Sequence, residues 1–284
     1  MKRRAQVLNG AGRSEDESGQ YVRAVQRAAR IITTLAEHPY PMGIVELAER
    51  IQLSPGSVHR LLATLISIGW VEQNTRTSKY RLSTRVLGIG STGLITNPVI
   101  QHGKMYLARL AEHTGWDAVL STLVGMRTVH LARIGGAQHR VMEFEPGVSQ
   151  PAHAMADGKL MLAYLPEEER QYLYAVEGLR QYTTNTFTNP QDLERELQRI
   201  RERGYATDNH ERFEAARGLA VPVLGSDGKP ILAMLSIGKL DAAPDQELAL
   251  ARHMLSLARE MTDQLTLVGD IPLPSNDFAR YNLQ

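Results

Sequence analysis

The 284-residue chain has no cysteine, which excludes disulfides, thiolate metal sites and thiol nucleophiles. No apolar run approaches the roughly 18 residues that a membrane-spanning helix needs, so no membrane partner is expected. The basic start Met1-Lys2-Arg3-Arg4 has no apolar stretch behind it, unlike a secretory leader, and the expected compartment is the cytoplasm. GxSxG, a glycine-rich phosphate loop and HExxH are all missing, so neither an enzyme nor a cofactor is expected. His130, His139, His153 and His210 are scattered. Zinc needs three or four converging ligands, so no metal is expected either. There is no internal repeat. What is present is an ordinary globular composition, 43% hydrophobic and 22% charged, with length enough for two domains.

The net charge of +1 hides an asymmetry. Through Gly90 there are 13 Lys and Arg against 7 Asp and Glu, a net of +6, and the remainder carries −5. A basic front and an acidic rear suit a nucleic-acid module joined to a module of another kind. The front contains a recognisable device. Ser54 followed by Pro55 is a helix start, with Ser as N-cap and Pro at a position whose N–H would be unpaired anyway. Val58, Leu61, Leu62 and Leu65 then form an apolar stripe, while Ser57, His59, Arg60 and Thr64 form the other face. A short amphipathic segment, Gly43 to Ile51, ends about three residues earlier, the spacing of a helix-turn-helix. Trp70-Val71-Glu72-Gln73 and Lys79-Tyr80-Arg81-Leu82 read as two strands around the polar tip Asn74 to Ser78. The whole is a winged helix-turn-helix, whose second helix fits a DNA major groove.

Residues 1–20 read as a polar, disordered tail whose Lys2, Arg3, Arg4 and Arg13 are solvated or brush phosphates. A first helix covers about Val22 to Glu37, and residues 21–83 form the DNA-binding domain. Residues 84–98 read as a linker: a glycine-bearing helix from Thr84 toward Leu94, broken at Asn97-Pro98. Residues 99–268 form a second domain and 269–284 a tail. Within the second domain a helix spans about Val99 to Glu112. Ala118 to Leu123 and Thr128 to Ile134 form a hairpin about Gly125-Met126, and Arg140 to Phe144 is a third strand. A loop from Glu145 to Asp157 leads to a helix beginning near Gly158-Lys159, with further helices near 167–176 and 191–203. Leu219 to Leu224 and Ile231 to Ile237 form a second hairpin, and a last helix covers about Pro244 to Leu267. Hairpins mixed with helices predict an α+β fold with an antiparallel sheet.

The stretches Ile44 to Ala48, Ser57 to Leu62 and Tyr80-Arg81-Leu82 resemble the isocitrate lyase regulator (IclR) family of bacterial transcription factors. So do His153-Ala154-Met155-Ala156-Asp157-Gly158-Lys159, Arg203 to Asp208, Ala220 to Val223 and Ala233 to Ile237. The resemblance runs in order over roughly residues 22–265. It implies a GAF- or profilin-like sheet in the second domain, dimers that often pair into tetramers, and control by a small organic or aromatic acid or a derivative. It places DNA contacts on Ser54, Ser57, His59, Arg60 and Thr64, with Arg76 and Lys79 in the wing. The family often has Lys-Ser where this chain has Pro55 and Gly56, which removes one phosphate contact and gives Arg60 and Lys79 a larger share.

Ligand contacts implied by the resemblance are Met155, Ala156, Asp157 and Gly158 before and at the Gly-Lys helix, Asp208, and Ser236 on a late strand. Arg217 is a further candidate. Each has a plainer reading. Asp157, where the family has a small or apolar residue, is either an N-cap that fills the site a ligand acid would use, or a pocket group that asks for a hydrogen-bond donor. Asp208 either caps a turn or lines the pocket. Ser236 bonds either a ligand or a backbone acceptor, and Arg217 either pairs a ligand carboxylate or lies on the surface. The expected function is a ligand-responsive, operator-binding regulator of a catabolic operon. Two rivals remain: a constitutive or architectural DNA binder, and an enzyme with an appended DNA-binding module.

Overall fold

Residues 22–38, 40–136, 144–238 and 244–268 are described by a computed structural model of the chain. The chain divides into two units, one through Ile89 and the other from Gly90. In the first, α1 (Arg23–Glu37), α2 (Ile44–Arg50) and α3 (Pro55–Ser67) precede a hairpin of β1 (Val71–Gln73) and β2 (Tyr80–Leu82). Ile31, Leu47, Val58, Leu62 and Tyr80 close its core, so the apolar stripes of all three helices meet one another and the wing. Val71 pairs with Leu82 and Gln73 with Tyr80. Between α2 and α3 Gln52 turns the chain with φ 53°, a left-handed conformation that makes the sharp connection possible.

Helix α4 (Thr84–Thr96) has no buried residue. Asn97 does more than the break expected of Asn97-Pro98. Its Oδ1 accepts from the N–H groups of Val99 (3.0 Å) and Ile100 (3.3 Å), capping α5 (Pro98–Thr114), with Pro98 at the first helical position.

The second unit is built on a six-stranded antiparallel sheet in the order β5-β4-β3-β8-β7-β6. Its strands are β3 (Asp117–Val124), β4 (Arg127–Ile134), β5 (Ser149–Pro151), β6 (Ala206–Asn209), β7 (Arg217–Leu224) and β8 (Pro230–Gly238). Strands β5 and β6 are too short to show alternation, and the sequence gives no sign of them. Residues 140–143 of the expected third strand, and both expected tails, lie outside the described residues.

Two cores lie on the two faces of this sheet. Ala118, Leu120, Leu219, Val221 and Met234 pack with α5 and α9 (Pro244–Val268). Val119, Leu123, Ala220, Ala233 and Leu235 pack with α6 (Ala156–Ala163), α7 (Glu167–Glu177) and α8 (Pro190–Arg203). Helix α6 begins two residues before the expected start. It follows a tight turn, Ala152–Ala154, so closely that a Cβ on Gly158 would lie 2.2 Å from the Ala152 carbonyl oxygen. Backbone cannot yield there, so the position requires glycine.

Candidate DNA-facing helix and effector site

On α3 the Ser54 Oγ accepts from the Ser57 N–H (3.3 Å) and donates to Ser57 Oγ (2.9 Å), so the helix begins where the Ser-Pro pair predicts. Burial of Val58, Leu62 and Leu65 turns the opposite face outward. Ser54, His59, Arg60 and Thr64 are exposed, and Ser57 is half-buried. The Thr64 hydroxyl donates back to the Arg60 carbonyl at 3.2 Å. In the wing Asn74 Oδ1 accepts from the N–H groups of Arg76 (2.9 Å) and Thr77 (3.0 Å), which shapes the tip and leaves Arg76 and Lys79 exposed. Arg81, by contrast, is paired with Glu72. This face can do what an uncommitted cationic and hydroxyl-bearing helix does: donate to base edges and phosphates.

The candidate effector residues divide between the two faces of the sheet. Met155, Ala156, Asp157, Gly158 and Asp208 gather on the α6 face. Met155 is fully buried and occupies the N-cap position of α6, with no side-chain cap. The N-cap reading of Asp157 is therefore corrected. Asp157 stands inside the first helical turn, and its Oδ2 accepts from Ser121 Oγ on β3 at 2.6 Å. Gly158 is buried and packs directly against the Ala152 backbone. The turn-capping reading of Asp208 is met, since Oδ1 accepts from the Glu211 N–H at 2.7 Å after β6; Oδ2 is buried with no partner.

Ser236 and Arg217 are corrections. Ser236 pairs in register with Ala118 and Leu219, both in the α5–α9 core, so its side chain lies on the face opposite α6. Arg217 is on that same far face and reaches Glu247 of α9 at 3.7 Å. Strand alternation puts Ser236 and its neighbour Leu235 on opposite faces, and here Leu235 is the one beside α6.

In exchange the fold brings in residues the sequence did not single out for this role. Ser121 and His130 are cross-strand partners next to a β-bulge at Leu120/Ser121, and Thr128 is two pairs away along β4, on the same face as His130. All three are completely buried. Both ring nitrogens of His130, Thr128 Oγ1, Asp157 Oδ1 and Asp208 Oδ2 have no hydrogen-bond partner. Single polar residues in apolar strands gave the only signal, and it does not say that they meet. Glu211, three residues after Asp208, pairs with Lys159 Nζ at 2.5 Å, and Lys159 lies 5.0 Å from the centre of the Phe187 ring.

The electrostatics follow from burial. Desolvation first, and the Glu211 charge second, push the Asp208 carboxyl up to about 7. Glu211 is also raised by burial, against the opposing pull of Lys159. Burial lowers His130, against the attraction of Asp157, which favours the neutral ring with one donor and one acceptor nitrogen. His130 stacks on Phe144 at 5.2 Å, and Phe144 meets Phe213 edge-on at 5.8 Å. Thr183 and Thr186 donate to the carbonyls of His210 (2.7 Å) and Glu211 (2.6 Å), holding the turn after β6 in place. Buried polar atoms without protein partners beside stacked aromatics mark this face as the candidate site.

A family model described as the C-terminal domain of the bacterial transcriptional regulator IclR matches residues 93–261, and one described as the IclR helix-turn-helix domain matches residues 24–75. The HTH-type transcriptional regulator XynR of Escherichia coli (strain K12) is 30% identical over 238 residues, covering 84% of this chain and 94% of that protein. The glycerol operon regulatory protein of Streptomyces coelicolor is 28% identical over 222 residues, covering 78% and 86% respectively. The crystal structure of an IclR transcriptional regulator from Alicyclobacillus acidocaldarius matches with a TM-score of 0.70 at 27% identity, covering 86% of this chain and 98% of that one.

Proposed function

Because the chain belongs to the IclR family of bacterial transcription regulators, we propose that α3 reads an operator and that the α6 face of the sheet senses a small organic effector. Residues 21–83 form the DNA-binding domain, 84–98 the linker, and 99–268 the effector and oligomerisation domain. The chain works as a homodimer, open to pairing into a tetramer. Leu87, Ile89 and Ile95 of α4, 66%, 56% and 66% exposed, are apolar surface that a second copy would cover. A dimer presents two α3 helices to half-sites about 34 Å apart, so the operator is a near-palindrome. The regulated genes form a catabolic operon, in keeping with relatives such as the glycerol operon regulatory protein.

One observation carries the DNA reading. The polar face of α3 is exposed around His59 and Arg60, while the opposite stripe forms the core. The Arg60→Ala variant is expected to keep its circular dichroism and melting temperature and to lose at least tenfold in operator affinity in a gel shift. Unchanged operator affinity would take α3 off the DNA. The constitutive rival predicts that no small molecule changes operator affinity. The buried polar atoms beside α6 that no protein group satisfies favour a sensor instead, because a bound small molecule can supply their hydrogen bonds.

A further inference from the structure

We infer that the effector presents a nitrogen head, a protonated amine or an N–H-bearing amide, to Asp157 and Asp208, and not a free carboxylate. The inference rests on the sensor reading above and names the ligand class of that site. The first argument is the charge inventory. Asp157, Asp208 and Glu211 are buried beside α6, and Asp208 feels the charges of both other carboxylates. Among the described residues the ammonium of Lys159 acts on Asp208 and Glu211, and it is already bound to Glu211. Arg212 is held by Gln150 Oε1 at 3.1 Å and lies over the rings of Tyr182 and Phe213. Arg217 is on the far face of the sheet, with Glu247. An entering carboxylate would join three buried carboxyl groups with no uncommitted cation to meet among these groups, an arrangement that desolvation disfavours.

A second argument comes from the helix. The first turn of α6 offers unpaired N–H groups and the positive end of the helix dipole, the usual attraction for a ligand anion. Asp157 puts a carboxylate of this chain in that turn; neither of its oxygens caps an N–H, but its charge already offsets the dipole and opposes a second anion there.

The third argument is independent of the acidic groups. His130 is 0% exposed, and neither Nδ1 nor Nε2 has a partner. A neutral imidazole has one donor and one acceptor to satisfy. On the same strand and face as Thr128, and opposite Ser121, the ring stands in the row that Asp157 touches. A nitrogen head with two or three hydrogens can donate to Asp157 Oδ1, Asp208 Oδ2 and the acceptor nitrogen of His130, three of the orphaned acceptors. A metal ion is a weaker occupant: among the described residues no three His, Asp or Glu groups form a metal-holding cluster. Phe144 and Phe213 provide an apolar wall for the body of the ligand.

The test uses the full chain and matched probes on phenyl, cyclohexyl and n-butyl scaffolds, each bearing a carboxylate, a carboxamide or an aminomethyl group. Thermal shift and calorimetric titration are expected to show stabilisation by an aminomethyl or carboxamide member and none by its carboxylate twin. Asp157→Asn, nearly isosteric, should weaken the aminomethyl probe at least tenfold. Asp157→Ala, which empties the first turn of α6, should admit the carboxylate twin. Stabilisation of the native chain by carboxylates in preference to their nitrogen twins overturns the head-group assignment and leaves the sensor reading standing. If no probe changes either the melting temperature or operator affinity of the native chain or the variants, both are overturned, while the α3 reading, tested by Arg60→Ala, is untouched.

Discussion

Asp208 ties the stability of the rear unit to pH. Its carboxyl titrates near 7 in the folded chain, against about 3.9 when unfolded, so the folded state binds the proton more tightly. That contribution to stability is complete below about pH 4 and is lost as the pH rises through about 7. Asp208→Asn cannot titrate. Relative to the native chain, the variant should gain on the order of 2 kcal/mol between pH 5 and pH 8, read from urea midpoints. A gap that stays constant across that range would mean Asp208 is ionised throughout. Two glycines make a second contrast. Gly158→Ala forces a Cβ to 2.2 Å from a backbone oxygen and should cost about 1–3 kcal/mol or more. Gly56→Ala in α3 meets nothing within 4 Å and should stabilise by roughly 0.5–1 kcal/mol, since alanine is the better helix former. Thermal melts of the two variants, taken side by side, check both signs.

At the scale of elements, caps decide where several helices start, and they can be measured singly. Asn97→Ala removes the side-chain acceptor for two N–H groups of α5 and should cost about 1 kcal/mol in chemical denaturation, with no loss of operator contacts. The same chemistry explains what could be read in advance. Ser54-Pro55 announces α3 because cap, proline and apolar period agree there. Asn97-Pro98 carries the same kind of signal, but read alone, after a glycine-rich stretch, it looks like a break. Strands β5 and β6, of three and four residues, have no period to detect. The candidate residues that lie on a motif, Met155 to Gly158 and Asp208, do gather on one face of the sheet. Ser236 and Arg217 lie on the other face, because alternation separates the two faces of a strand without saying which one meets α6. His130, Ser121 and Thr128 join the site only through the register of β3 against β4.

For the molecule as a whole, the division of charge, +6 through Gly90 and −5 beyond it, predicts operator binding that weakens steeply with salt. Each phosphate contact contributes about 0.9 to the slope of log affinity against log salt, so Lys79→Ala should lower the slope by up to roughly 1.8 in a dimer. A slope equal to that of the native chain would take the wing off the backbone. The passage between the two units has its own consequence. The division at Ile89 and Gly90 falls inside the single helix α4, whose Gly88, Gly90 and Gly93 would each meet nothing within 4 Å if given a Cβ. Packing within the chain does not ask for these glycines, and each weakens the helix by about 1 kcal/mol relative to alanine. They make α4 a compliant shaft, one that can bend or fray under a small torque. Replacing all three with alanine should give a chain that melts later and has more helix, yet passes a smaller fraction of any ligand-driven change on to the operator.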